Sequence, residues 1–126
     1  MNCIEPHEIL STAVLYDSGI SCNNSLYKDK DCFSRKFIYR FGEHISIDNI
    51  KYPVVDKEIT YYEIYEVTET NKDELIFVGL FTSKQKSPLV EIFLNGINVK
   101  DIKIYIKNKT NLWPDSSEII FEKSKI

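Results

Sequence analysis

Eighteen isoleucines and a single alanine, Ala13, constrain this chain more than any other feature of its sequence. Helices favour Ala, Leu, Glu and Gln, whereas β-branched and aromatic side chains fit the pleated surface of a sheet. Eight Tyr and seven Phe push the same way. At 126 residues there is room for one hydrophobic core, because domains most often run ~100–150 residues. No repeat, low-complexity tract or linker divides the chain, so residues 1–126 are read as one domain.

The β pattern is clearest beyond Pro53. In Glu58–Glu69, Ile59, Tyr61, Tyr65 and Val67 fall on one face and Thr60, Tyr62 and Ile64 on the other, the period of two that a strand imposes. Asn71-Lys72-Asp73 reads as a turn into Leu75–Thr82, which is apolar on both faces as a central strand would be. Ile102, Ile104 and Ile106 alternate with Lys103, Tyr105 and Lys107, and a change of phase after Val99 suggests a bulge near Lys100-Asp101. Glu118–Lys123 reads as a last strand.

Other segments carry two readings. Leu89–Leu94 followed by Asn95-Gly96 signals a hairpin with a type I′ turn; Ser87, Pro88 and Gly96 instead match the cap pattern of a helix over 88–95. Phe33, Phe37 and Phe41 are spaced as on a helix, while Phe37, Tyr39 and Phe41 alternate as on a strand that turns near Gly42 into 44–50. Residues 6–16 predict a short helix, with Pro6 in its first turn and Ile9, Leu10, Ala13 and Val14 on one face. The expected fold is therefore α+β: a curved, mainly antiparallel sheet of about five or six strands packed on one or two N-terminal helices.

Catalytic and cofactor signatures are missing from the sequence. Gly19, Gly42, Gly79 and Gly96 are isolated, which excludes phosphate-binding glycine loops. Cys3, His7, Cys22, Cys32 and His44 lack the close pairing of structural zinc sites. Cys22 or Cys32 could meet His44, but no nucleophile motif frames either. No enzyme activity, cofactor or metal is expected. The acidic N-terminus is unlike a secretory signal, no apolar run spans a membrane, and three cysteines suit free thiols in a reducing cytoplasm better than a disulfide framework.

The charge distribution offers one lead. Residues 56–74 hold seven acids against Lys57 and Lys72, interleaved with Tyr61, Tyr62 and Tyr65. Carboxylates steer encounter with a basic partner and tyrosines supply contact area. The alternative is that the acids wet one sheet face while the tyrosines pack inside. Together with a bias towards Ile, Lys, Asn and Tyr that points to an AT-rich gene, this suggests an immunity protein. It would neutralise a basic toxin, such as a nuclease, by stoichiometric binding through Glu63, Glu66, Glu69, Asp73, Glu74 and Tyr62. Two alternatives stand beside it: a small-molecule-binding or enzymatic domain with a pocket lined by Cys32, His44 and tyrosines, and a nucleic-acid binder using Lys103, Tyr105 and Lys107. The net charge of −3 weakens the last.

Overall fold

The computed structural model describes residues 2–17, 32–53, 60–68, 70, 72–81 and 89–123. Among the described residues, eight strands run β1 (Asn2–Ile4), β2 (Glu8–Ser11), β3 (Leu15–Asp17), β4 (Cys32–Pro53), β5 (Thr60–Val67), β6 (Asp73–Phe81), β7 (Leu89–Asn108) and β8 (Ile120–Lys123), with a 3-10 turn at Ser116–Glu118. Every strand pairing is antiparallel.

Two long strands organise everything else. The first limb of β4 pairs with the second limb of β7, from Phe33↔Asn108 to Arg40↔Asp101; its second limb pairs with the first limb of β7, from Ile45↔Val99 to Pro53↔Leu89. Between the limbs, four residues of β4 (41–44) face one residue of β7, and Gly42 takes φ +80°. That conformation costs an L side chain roughly 1–2 kcal/mol, and glycine adopts it freely. The irregularity was expected near Lys100-Asp101; the extra residues lie on β4 instead.

The first limb of β4 with the second limb of β7 carries β2 and β3 on the β4 side and β5 then β6 beyond β7. The second limb of β4, paired with the first limb of β7, carries β8 and then β1. The two resulting layers close on a shared core. Tyr39 and Phe41 meet Phe121 edge-on at 4.8 and 5.2 Å, and Tyr52 meets Tyr62 at 4.6 Å. Ile102, Ile104 and Ile106 are fully buried, as their alternation requires. Each contributes roughly 1.5–3 kcal/mol relative to an exposed side chain.

The architecture is all-β, which corrects the expectation of α+β with packed N-terminal helices. Residues 8–17 form β2 and β3 on the open edge of β4, with Ile9↔Tyr39 and Leu15↔Ser34 in register. Ile9 packs against the core while Leu10, Ala13 and Val14 remain exposed, so the stripe that suggested a helix does not bury a common face. A helix of that length gains little on its own, and the β4 edge satisfies the same backbone groups.

The Asn95-Gly96 hairpin is also corrected. Both residues do take positive φ, at 55° and 76°, but they form a bulge within continuous β7, and Ser46 Oγ donates to the Gly96 carbonyl at 3.1 Å. Pairing with β4 on both sides of the bulge keeps the strand from reversing. Leu75–Phe81 lies at the end of the strand order rather than in its centre. Residues 32–41 are strand, as their alternation suggested.

Candidate functional site

The most fully organised recess lies where β7 leaves the sheet. Asn108, fully buried, donates from Nδ2 to the Leu112 carbonyl at 2.9 Å and accepts from the Asn111 amide at 3.0 Å. Asn111 takes φ +55°, which turns the chain and lets its Oδ1 accept from Trp113 Nε1 at 2.7 Å. That bond fixes the indole, whose apolar body rests against the core.

After buried Pro114, Asp115 caps the 3-10 turn. Its Oδ1 accepts from the Ser117 amide and hydroxyl at 3.0 and 2.9 Å, while Glu118 Oε1 accepts from the Asp115 amide at 3.0 Å. These bonds from Ser117, backbone first, hold the Asp115 carboxyl below its ordinary range, and the Arg35 charge adds to them. Asp115 is therefore an ionised, acceptor-only group at neutral pH. Arg35 comes from β4, and its Nε donates to the Thr12 carbonyl at 3.2 Å, leaving the two terminal nitrogens for other partners. Ser11, Arg35, Trp113, Pro114, Asp115, Ser116 and Glu118 enclose about 380 Å³.

A larger concavity of about 510 Å³ opens at the β4 corner, lined by Arg40, His44, Glu66, Val67, Thr68, Lys100 and Asp101. No Trp, Tyr or Phe side chain lines it. Its Arg40 is engaged with Glu8 at 3.3 Å, both side chains nearly half exposed; such a pair contributes ~0–1 kcal/mol.

The residues singled out from sequence do not converge on one surface. Tyr62 is 5% exposed and packs in the core, so it offers no contact surface. Glu63, on the outer face of the first layer, accepts from the Tyr65 hydroxyl. Asp73 pairs with Lys103 on that same face. Glu66 reaches the corner concavity, and exposed Glu74 stands opposite it on β6. Glu69 lies outside the described residues.

The pocket expected between sheet and helix, lined by Cys32 and His44, does not form. Those residues occupy opposite ends of the first limb of β4. Cys32 is buried and disulfide-bonded, so it is not the free thiol expected; Cys3 is free and exposed; Cys22 lies outside the described residues. Among the described residues no three His, Cys, Asp or Glu side chains gather to hold a metal ion.

Trp113, Arg35 and Asp115 were not singled out from the sequence, where 109–116 reads simply as loop. The available signal was the only Trp of the chain, followed by Pro114 and the Asp115-x-x-Glu118 capping pattern.

No protein-family model matches the chain, and no curated protein does. Solved structures do. The family 32 carbohydrate-binding module of AlyQ, in complex with 4,5-unsaturated mannuronic acid, superposes with a TM-score of 0.60 at 8% identity, covering 98% of this chain and 100% of that one. A Streptococcus pneumoniae fucose-binding module, SpX-3, gives 0.54 at 12% identity, covering 99% and 100%. The family 32 module of Clostridium perfringens NanJ, in complex with galactose, gives 0.51 at 13% identity, covering 94% and 96%.

The fold is that of family 32 carbohydrate-binding modules. This overturns the immunity-protein reading and its basic toxin partner: the structural neighbours bind sugars, not protein toxins. The enzymatic-pocket alternative gains no support either.

Proposed function

We propose that this chain binds carbohydrate and that its sugar site is the Trp113 recess. One observation carries the reading: on a fold shared with sugar-binding modules, an anchored indole stands beside an arginine and two carboxylates in a recess of about 380 Å³.

A pyranose presents an apolar C–H face and a girdle of hydroxyls. Hydrogen bonds to those hydroxyls exchange for bonds to water, so each contributes only ~0.5–1.5 kcal/mol net. Trp113 adds a small apolar surface to a recess whose lining is otherwise largely polar. Arg35 provides paired donors, and Asp115 and Glu118 provide acceptors suited to vicinal hydroxyls. The capping bonds hold these groups in place before any ligand arrives, which limits the ordering cost of binding. The corner concavity has donors and acceptors but no Trp, Tyr or Phe side chain.

Calorimetric titration with galactose, fucose, N-acetylgalactosamine and unsaturated mannuronate tests the reading. Binding by at least one sugar, weakened tenfold or more in Trp113→Ala, is the expected result; tenfold corresponds to about 1.4 kcal/mol. A Trp113→Ala protein that binds as the parent does removes the recess from the function.

A further inference from the structure

The outer face of the first layer carries an array that the Trp113 recess does not use. The β register sets Lys36 opposite Tyr105 and Tyr105 opposite Glu63; one step along, Lys103 stands opposite Tyr65 and Tyr65 opposite Leu75. The side chains interlock. Lys36 lies over the Tyr105 ring at 5.6 Å and Lys103 over the Tyr65 ring at 5.3 Å. Glu63 accepts from the Tyr65 hydroxyl, and Asp73 pairs with Lys103. Lys36, Glu63, Tyr65, Asp73, Lys103 and Tyr105 enclose a recess of about 250 Å³ on what would otherwise be a flat strand surface.

We infer that this recess is a second saccharide site, so that the chain holds one glycan at two places. The inference rests on the carbohydrate-binding reading but not on the Trp113 recess.

Two arguments select a neutral sugar as the occupant. The lining itself carries two ammonium and two carboxylate groups, while Lys107, outside the lining, lies over the same Tyr105 ring at 5.2 Å. Within that lining a charged ligand would meet as much repulsion as attraction, whereas a polyhydroxylated one finds both donors and acceptors. The two phenol rings add the apolar component. The contacts among Lys36, Tyr105, Lys103, Tyr65, Glu63 and Asp73 exist without ligand, so the array is already ordered. Burial, together with Glu63, raises the Tyr65 phenol above its ordinary range, and it stays a proton donor across the physiological range.

Two sites on one module convert the second contact with a polymer into an intramolecular event, which raises avidity without a new contact.

Protein-observed NMR titration of the full chain with galactose, fucose and the N-acetylgalactosamine-β-1,3-galactose disaccharide tests the inference. The expected result is two sets of shifting amides, one around Trp113 and one around Lys36, Tyr65 and Tyr105, with separate saturation curves. In Trp113→Ala the second set persists. In Lys36→Ala or Tyr105→Ala, with thermal midpoints near that of the parent, it disappears and the first set persists. If only the second set appears, the Trp113 reading and the two-place binding both fail, and the Lys36–Tyr65–Tyr105 recess stands as the saccharide site. No shift around Lys36, Tyr65 and Tyr105 with any of the three sugars overturns the inference, as does a second set that survives both Lys36→Ala and Tyr105→Ala.

Discussion

The buried phenol of Tyr39 donates to the carbonyl of Ser116 at 2.7 Å and so ties the centre of β4 to the turn that carries Asp115 and Glu118. Its ring packs edge-on against Phe121, and burial keeps the phenol protonated far above the physiological range. Tyr39→Phe keeps that packing but leaves the carbonyl without its donor, at a cost of roughly 1–3 kcal/mol. Thermal unfolding should show a midpoint several degrees lower. Because Trp113 is the only tryptophan, a shift in its fluorescence would report the loosened turn directly.

Asp115 holds the turn through Ser117. Asp115→Ala should cost about 1 kcal/mol, the usual worth of an N-cap, and should weaken sugar binding more than it lowers the melting temperature. Asp115→Ser restores a capping oxygen without the charge. Recovery of stability without recovery of affinity would separate the two roles.

Stability should fall on the acid side because of Glu122. Burial pushes its carboxyl up, but hydrogen bonds from Lys51, at 3.1 Å, and from Asn49 Nδ2, at 2.9 Å, outweigh this and hold it below 4.5. A carboxyl depressed in the folded state stabilises fully above its unfolded value, and that contribution disappears as pH falls through the folded value. Lys51 is shifted the other way, raised above 10.5 by its hydrogen bond to Glu122, so its share is lost only in strong alkali. Melting curves between pH 7 and pH 3 should show a decline beginning near pH 4.5, flattened in Glu122→Gln.

The β4 corner depends on Gly42. A Cβ there would meet His7 Cβ at 3.8 Å, an ordinary contact, so the cost of Gly42→Ala comes from φ +80° alone, roughly 1–2 kcal/mol. Gly96→Ala adds a tight approach of 3.3 Å to the Asp48 carboxylate and should cost more. Chemical denaturation of the two variants checks the order.

Thiol chemistry offers a further check. Alkylation of the native, unreduced protein should label Cys3, which is exposed and free, and spare disulfide-bonded Cys32. Mass spectrometry after reduction should find Cys32 newly reactive.

The β character was legible in the residues themselves. Side-chain alternation has a period of two whatever the partner strand, so Ile102, Ile104 and Ile106 were bound to face one way and Lys103, Tyr105 and Lys107 the other. The same rule correctly separated Tyr62 and Ile64 from Tyr61 and Tyr65. Tertiary structure decided where pairing competes with local preference. Residues 8–17 could have formed a short helix, but the β4 edge offered their backbone more than an isolated helix could. Asn95-Gly96 could have reversed the chain, but β4 pairs with β7 on both sides of it and made it a bulge. The Trp113 recess was beyond sequence reading for a related reason. Its indole and capping turn are local to 111–118, yet Arg35 and Ser11 arrive from strands far earlier in the chain, and only the closing of the two layers brings them to the ring.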